Sequence, residues 1–349
     1  MSTTRSRSQR NAPTIADVAS HAGVSPMSVS RVINGETSVR PAIREKVEAA
    51  IAALNYAPSA AARQLAGGEE TRIALVHANP SSAYLYEFLT GSLDRASALN
   101  LQLTVEKLDE AAGPAEMIAH MRRGRVSGIV LPPPLCESGP MLAALSAAGI
   151  PVVAVAAGVP RPDIASVSID DFRAAEAMTH HLVELGHRRI GFIRGNPDQS
   201  ASERRYAGYC AALEQAGLTL DPAIVAQGYF TYRSGLDAAG AILDAREPPT
   251  AIFASNDDMA AATVAVAHAR HLDVPGDLTV CGFDDTPLAT TIWPELTTIR
   301  QPIGDMARRA VDLLVRQLRG KRPDGTAAHE LLDFELIRRQ SDAAPRGRH

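Results

Sequence analysis

The chain of 349 residues is long enough for two or three domains, and with 46% hydrophobic and 4% aromatic residues its composition excludes a disordered or fibrous protein. The formal charge of −4 conceals an asymmetry, because residues 1–66 carry eight Arg or Lys against four Asp or Glu and the remainder is net −8. No apolar run reaches the roughly 18 residues of a membrane span and no signal-peptide core stands near the start, so we expect a cytoplasmic protein with a basic, nucleic-acid-binding front end.

The first recognisable elements follow a polar stretch at 1–12, which we expect to be a flexible arm. Residues 14–34, TIADVASHAGVSPMSVSRVIN, predict two short helices joined by a tight turn at Gly23. Thr14 and Asp17 have the spacing of a capping box, and Ser25 before Pro26 is a second helix start.

The second of these helices has one apolar and one polar face. Val29, Val32 and Ile33 lie together on the face predicted to be buried. The side chains left outside are Pro26, Met27, Ser28, Ser30, Arg31 and Asn34. A helix with this polar face suits the major groove of DNA, and an ordinary αα-hairpin is the alternative.

A third helix is predicted from about Pro41, and a short helical segment follows it. The apolar stripe of the third helix is Ile43, Val47, Ala50, Ile51 and Leu54. Residues 59–68, SAAARQLAGG, form about two turns between Pro58 and the glycines, which is too short for a stable isolated helix. We expect a linker, or a helix that orders when a partner binds.

From residue 72 onward, apolar strand patterns alternate with amphipathic helices. The predicted strands are 72–77, 101–105, 128–131, 152–155, 189–193, 251–255 and 278–283, and the predicted helices include 172–185, 202–216, 233–245, 257–270 and 302–319. This alternation predicts βαβ units and parallel sheets covered by helices. About 270 residues exceed one such sheet, so two lobes are expected. Residues 329–339 predict one more strand.

Several blocks of this sequence resemble, in order, the LacI/GalR family of bacterial transcription regulators. They are IADVASHAGVS at 15–25, VSRVING at 29–35, REKVEAAIAALNY at 44–56, PSAAARQLAGG at 58–68, LVELGHRRIGFI at 182–193, SNDDMA at 255–260, VCGFDDTPLA at 280–289 and LTTIRQP at 296–302. So many independent blocks are far more specific than a lone helix-turn-helix.

The resemblance implies an α/β protein with an N-terminal three-helix helix-turn-helix headpiece, a hinge helix and a two-lobed core like that of periplasmic sugar-binding proteins. The expected division is a flexible arm at 1–12, a DNA-binding domain at 13–57, a hinge helix at 58–68, an effector-binding core at 69–340 and a flexible tail at 341–349. The lobe near the hinge would comprise about 69–167 and 297–328, and the far lobe about 168–294 and 329–340.

The resemblance also implies which residues contact DNA: Thr14, Ser25, Pro26, Met27, Ser28, Ser30, Arg31, Asn34, Ser59, Arg63 and Leu65. The planar guanidinium group of Arg31 can donate hydrogen bonds to guanine O6 and N7, and a contact with phosphate is the alternative. Leu65 corresponds to the leucine that the family wedges into the minor groove, unless it packs within the linker. The side chains of Pro26 and Met27 have no hydrogen-bonding group, so they would discriminate between bases through apolar contacts.

For the effector, the resemblance and the positions after strand ends indicate Arg205, Asp284, Asn256, Phe230, Tyr84 and Trp293. Planar polar groups and an aromatic face suit a sugar. The structural alternatives are that Asn256 or Asp257 caps the next helix, that Phe230 belongs to the core and that Arg205 forms a surface ion pair. Several relatives place an aspartate shortly after IPVV, where this chain has Ala156 and Ala157. The alternatives are a smaller or less hydroxylated ligand, or a ligand contact from Asp170 or Asp171 instead.

An enzyme is an alternative that the motifs do not favour. Acidic and histidine pairs occur at Asp257-Asp258, Asp284-Asp285 and His180-His181, yet no nucleophile elbow, Walker loop, GxGxxG or HExxH accompanies them. Cys136, Cys210 and Cys281 are isolated and odd in number, without zinc-ligand spacing. We therefore expect no enzyme activity, no cofactor and no metal.

The expected function is that of a repressor of carbohydrate-utilisation genes that a sugar-like effector releases from DNA. The expected partners are palindromic operator DNA, a small-molecule effector and a second copy of the chain, with no membrane. A dimer is expected and a tetramer is not, because SDAAPRGRH after Gln340 lacks the leucines of the family's tetramer helix. The alternative is a solute-binding or sugar-modifying protein with the same core.

Overall fold

The computed structural model describes residues 13–33, 39–56, 71–79, 81–108, 113–320 and 327–346, which belong to two compact units, Met1–Thr71 and Arg72–His349. The predicted arm at 1–12 and the predicted hinge helix at 58–68 lie outside the described residues. So do four predicted DNA contacts: Asn34, Ser59, Arg63 and Leu65. These expectations stay predictions.

The described part of the first unit contains three helices: α1 (Ile15–Ala22), α2 (Pro26–Ile33) and α3 (Pro41–Leu54). The capping box at the start of α1 is present, since the Thr14 hydroxyl accepts from the Asp17 N–H and the Asp17 carboxylate accepts from the Thr14 N–H at 2.8 Å. The predicted apolar faces meet in one core, which Tyr56 joins: Val18, Ala19, Val29, Val32, Val47 and Ala50. Gly23 ends α1 at φ 65°, a conformation that costs glycine little.

The described part of the second unit alternates strands with helices. The strands are β1 (Arg72–His77), β2 (Gln102–Lys107), β3 (Gly128–Leu131), β4 (Val152–Val155), β5 (Ala165–Ser168), β6 (Ile190–Arg194), β7 (Val225–Gln227), β8 (Ala251–Ala254), β9 (Thr279–Asp284), β10 (Thr297–Arg300), β11 (His329–Leu331) and β12 (Glu335–Ile337). The helices are α4 (Ser82–Ala98), α5 (Gly113–Arg123), α6 (Gly139–Ala147), α7 (Asp171–Glu184), α8 (Ser200–Gln215), α9 (Tyr232–Leu243), α10 (Asp257–Ala269), α11 (Leu288–Thr291) and α12 (Ile303–Leu318).

Two six-stranded sheets divide these elements into two lobes. The first lobe has the strand order β11-β5-β4-β3-β1-β2, all parallel, and the second has β12-β10-β9-β8-β6-β7, parallel except for β12. Helices α4, α5, α6 and α12 belong to the first lobe, and α7 to α11 belong to the second. The expected parallel sheets covered by helices are thus confirmed, and the chain crosses between the lobes at 168–171, 300–303 and 331–335.

The predicted lobe boundaries need correction at two strands. Residues 297–300 were expected in the near lobe, but β10 lies between β9 and β12 in the second sheet. Residues 329–339 were expected to form one strand of the far lobe, but β11 pairs with β5 in the first sheet and only β12 joins the second. A short strand does not show in its sequence which of two sheets it extends. Strands β5, β7 and β10, of three or four residues, were not predicted.

The predicted flexible tail at 341–349 is wrong for residues 341–346, which pack on the second lobe. Ser341 is fully buried, where its hydroxyl donates to the Val280 carbonyl and accepts from the Thr297 N–H. The carboxylate of Asp342 accepts from His181 Nε2 at 2.9 Å. A polar, Pro-containing composition predicted a loose tail, whereas here the polar groups satisfy backbone and side-chain partners at the edge of the sheet.

The crossing of α4 and α12 depends on a glycine at position 91. A Cβ atom at Gly91 would lie 2.3 Å from the Gly304 carbonyl oxygen and 2.8 Å from its Cα. We therefore expect Gly91→Ala to push the helices apart and to lower the free energy of unfolding by about 1–3 kcal/mol, the usual cost of overpacking. The thermal midpoint of the core measures this loss.

Gly240 in α9 is the matched control for that substitution, because it is also helical and a Cβ atom there would meet only the Arg270 side chain at 3.8 Å. Gly240→Ala should raise the stability by about 0.4–1 kcal/mol through the loss of unfolded-chain entropy. Equal thermal midpoints for Gly91→Ala and Gly240→Ala would contradict the assignment of Gly91 to a close helix crossing.

Candidate functional site

The predicted DNA-reading helix α2 presents the expected side chains. Val29 and Val32 are buried, whereas Pro26 and Arg31 are exposed and Met27 is 64% exposed. Three of the remaining predicted residues, Thr14, Ser25 and Ser28, serve the helix starts. The Ser25 hydroxyl accepts from the Ser28 N–H at 3.2 Å, Thr14 closes the capping box, and Ser30 is half-buried. Contact with DNA stays a prediction for all of them.

A cleft between the two lobes lies where strands of both sheets end. It encloses about 430 Å³ of empty space, counting the part open to solvent. Its lining residues are Asn79, Ser81, Tyr84, Pro133 and Ala156 from the first lobe, Gln199, Ala201, Arg205, Phe230, Asn256 and Asp284 from the second, and Gln301 from a crossover. Most follow the carboxyl end of a strand, the place where open parallel sheets bind ligands.

Arg205 is the most firmly held of the predicted effector contacts. It is 5% exposed, so the alternative of a surface ion pair is wrong. Nε donates to Asp171 Oδ1 at 2.7 Å, and Nη1 donates to the Ser255 carbonyl at 2.6 Å. The guanidinium carbon lies 3.6 Å from the centre of the Phe283 ring. The guanidinium is therefore oriented before any ligand arrives.

Asp284 stands beside Arg205, with Oδ1 at 3.6 Å from Nη1. Its backbone has φ 115°, and its carboxylate accepts from Gln301 Nε2 at 2.6 Å. Burial raises the pKa of Asp284 well above its usual range, and Arg205 acts in the opposite direction. The pair can thus offer a ligand both hydrogen-bond donors and acceptors.

Asn256 and Phe230 are linked to each other at the cleft wall. Asn256 does cap α10, because its Oδ1 accepts from the Met259 N–H at 3.0 Å, but the same side chain lines the cleft and donates from Nδ2 to the Phe230 carbonyl at 3.1 Å. Phe230 has φ 59°, and its ring lies against Gly195, where a Cβ atom would be 2.0 Å from Cζ. A cap and a cleft position are therefore compatible.

Two buried polar atoms in the cleft have no partner among the described residues: Tyr84 Oη and Gln301 Oε1. Burial raises the pKa of the Tyr84 phenol well above its usual range, so the hydroxyl is neutral and can donate. Buried polar groups nearly always have partners, and a ligand with its own donors and acceptors would supply them. Tyr84 was predicted from the sequence, but Gln301 was missed because β10, which positions it, was not recognised.

Trp293 does not line the cleft, which corrects that prediction. It is 74% exposed after α11, and its neighbour Ile292 packs into the core of the second lobe instead. Asp170 and Asp171, the alternatives for the absent aspartate, are not among the residues that line the cleft. Asp170 caps α7, and Asp171 accepts a hydrogen bond from Arg205. Asn79, Ser81, Pro133, Gln199 and Ala201 were also missed, since single residues in loops or in the first turn of a helix carry no pattern.

Behind the cleft, Asp257 is a fully buried carboxylate. It accepts from the Thr286 N–H at 2.8 Å and from Thr298 Oγ1 at 2.7 Å. Burial raises the pKa of Asp257 to about 7, although these hydrogen bonds act the other way. Between about pH 4 and pH 7 only the folded state holds this proton, so the stability that it contributes is full below about pH 4 and is lost as the pH rises toward 7.

Asp257→Asn cannot ionise and keeps the side-chain shape, so the variant should lose less stability than the wild type between about pH 5 and pH 8. Thermal midpoints across this range give the measurement. Asp237→Asn removes a carboxylate from a 73% exposed position in α9 and should leave the pH dependence of the thermal midpoint as in the wild type. If the thermal midpoint changed with pH by the same amount in all three proteins, Asp257 would not be the group that holds this proton.

The paired histidines of α7 do not converge on one site. His180 Nε2 contacts Gln215 Oε1 at 2.9 Å, whereas His181 Nε2 contacts Asp342. Across the described residues, no group of three or more His, Cys, Asp or Glu side chains is arranged to hold a metal ion. None of the described helices is long and apolar enough to cross a membrane.

Comparison with known proteins shows two matching families. Residues 14–59 match the bacterial regulatory proteins of the lacI family, and residues 179–341 match the periplasmic binding protein-like domain. Catabolite control protein A of Priestia megaterium is 33% identical, covering 90% of this chain and 95% of that protein. The HTH-type transcriptional regulator CelR of Thermobifida fusca is 34% identical, covering 95% of this chain and 99% of that protein.

Solved structures are similar over nearly the whole length. The transcriptional regulator CelR–cellobiose complex superposes with a TM-score of 0.72 at 32% identity, covering 94% of this chain and 99% of that one. The lac repressor dimer bound to operator and the anti-inducer ONPF superposes with a TM-score of 0.74 at 28% identity, covering 95% and 99%. Both superpositions extend over more than nine tenths of this chain.

Proposed function

Because this chain belongs to the LacI family of bacterial transcriptional regulators, we propose that it represses carbohydrate-utilisation genes by binding a palindromic operator as a dimer. A dimer with two-fold symmetry would match the two half-sites of a palindromic operator. The outward face of α2, with Met27 and Arg31 exposed, supports its role as the reader of each half-site. A regulator of this kind works where the DNA is, in the cytoplasm, and has no need of enzyme activity.

The proposed effector site is the cleft of the core. The main observation in its support is that Arg205 and Asp284 are already held in position beside two polar atoms without a partner among the described residues, Tyr84 Oη and Gln301 Oε1. Arg205, Asp284 and Asn256 offer fixed donors and acceptors, and Phe230 and Tyr84 offer rings. This combination suits a sugar, whose hydroxyls need planar polar groups and whose ring needs an apolar face. The cellobiose complex of CelR is a relative with such a ligand.

The proposed coupling is that effector in the cleft lowers the affinity for operator. A coupling free energy of about 1–3 kcal/mol, which is usual for allosteric proteins, corresponds to about a 5- to 150-fold change in affinity. We expect induction, because repressors of sugar-utilisation genes are more commonly released from DNA when the sugar binds. The effector must therefore bind the DNA-free arrangement more tightly than the DNA-bound one.

A thermal-shift screen of mono- and disaccharides, including cellobiose, identifies the effector, because a ligand that binds the folded state raises the midpoint. Operator selected from random duplexes is then titrated with and without that sugar. Wild type should lose operator affinity, and Asp284→Ala should be insensitive. A protein that binds a sugar but selects no DNA sequence would favour the solute-binding alternative, and an operator affinity unchanged by saturating sugar would contradict the coupling.

A further inference from the structure

The two lobes are joined across the cleft by side-chain hydrogen bonds. Ser81, which caps α4 in the first lobe, donates to the Asp258 carboxylate of α10 in the second lobe at 2.6 Å. A further set joins Glu137, in the short 3-10 helix Leu135–Glu137 of the first lobe, to Ser200 at the start of α8 in the second. The described structure is thus a closed form of the core.

Glu137 acts as the N-terminal cap of a helix in the other lobe. Gln199 precedes α8 without a side-chain cap of its own. Glu137 Oε2 accepts from the Ser200 N–H at 2.7 Å, and Oε1 accepts from the Ser200 hydroxyl at 2.5 Å. A helix start has N–H groups without intrahelical partners and a positive dipole end, both of which a carboxylate satisfies. This cap exists only while the lobes are together.

The close approach of the lobes at this point also requires a glycine. Gly158 of the first lobe donates its N–H to Glu137 Oε1 at 2.9 Å. A Cβ atom at Gly158 would lie 2.5 Å from the Ala201 nitrogen and 2.7 Å from the Ser200 carbonyl carbon. Backbone atoms of a helix start cannot move aside cheaply, so any side chain at Gly158 would hold the lobes apart.

The capped helix carries effector-facing residues. Ala201 and Arg205 are four residues apart on α8, which places them on the same face, and both line the cleft. Ala201 directly follows the capped residue Ser200. The position of the first turn of α8 therefore decides how this wall of the cleft meets a ligand.

We infer that Glu137 is a positioning residue that latches the cleft: closure delivers its carboxylate to the N-terminus of α8, and opening leaves that helix start uncapped. Closure of the lobes and the positioning of the effector-facing side of α8 therefore occur together. Both depend on Glu137, which does not itself line the effector cleft. The consequence for operator release rests on the proposed function. The latch itself is a property of the core and can be measured without DNA or sugar.

Hydrogen exchange on the full chain, with neither DNA nor sugar present, tests the latch. In Glu137→Gln the amides of the first turn of α8 should exchange about fivefold faster or more, the change expected for a lost cap. Gly158→Ala, which leaves Glu137 intact, should produce the same acceleration by wedging the lobes apart. The double variant should add little to either, because both remove one interaction.

Two controls separate the latch from general destabilisation. Glu116→Gln removes an exposed carboxylate of the first lobe and should leave α8 protected as in the wild type. Amides in the middle of α7, buried in the second lobe, should exchange at the wild-type rate in every variant, and Ser200→Ala, a milder change, should accelerate the first turn of α8 by less. Wild-type protection in Glu137→Gln, or acceleration there with none in Gly158→Ala, would overturn the inference. Neither result bears on whether the protein binds operator.

Discussion

Arg205→Ala should cost the core about 3–5 kcal/mol of stability and abolish its response to effector, because removing one partner of a buried ion pair leaves the other uncompensated. Asp171 and Asp284 are both almost fully buried and both approach this one guanidinium. Burial raises the pKa of each carboxyl. Protonation can therefore relieve the variant, so its deficit in thermal midpoint should shrink as the pH is lowered.

Arg204→Ala is the matched control for this loss. Arg204 is the preceding residue on α8, its side chain is 43% exposed, and it pairs with Asp170 at 3.2 Å. An exposed pair of this kind is worth about 0–1 kcal/mol, so the variant should unfold and respond to effector much as the wild type does. Similar midpoints for both variants would show that Arg205 does not anchor the cleft wall.

Arg31→Ala should abolish the preference for operator over other DNA while leaving weak, salt-sensitive binding. A bidentate contact to guanine is worth about 1–3 kcal/mol of discrimination for each half-site, and a dimer loses it twice. Contacts to phosphate carry affinity but no sequence information, so they survive the change. The ratio of affinities for the selected operator and a scrambled duplex, measured at two salt concentrations, gives the result.

Lys46→Ala on α3 serves as the control for the loss of one positive charge in the headpiece. Lys46 is exposed and outside the predicted reading helix. Its removal should leave the ratio between operator and scrambled duplex unchanged, whatever it does to total affinity. An Arg31→Ala protein with the full wild-type ratio would mean that α2 does not read the bases through this residue.

The headpiece could be predicted from sequence almost completely, because its determinants are local. The capping box of Thr14 and Asp17, the turn at Gly23 and the apolar stripes of three helices each involve residues within a few positions of one another. In the core, strands such as β1 and β3 and helices such as α7 and α12 follow from periodicity for the same reason. These features were all recovered within a few residues.

Only the tertiary structure decided which short strands join which sheet and which side chains meet in the cleft. Residues 329–337 contribute to both sheets, the polar residues Ser341 and Asp342 are buried rather than loose, and Gln301 reaches the cleft from a crossover. Glu137 and Ser200, 63 positions apart, meet only because two lobes close on each other. Such contacts arise from the packing of distant segments, which short-range periodicity and capping patterns do not encode.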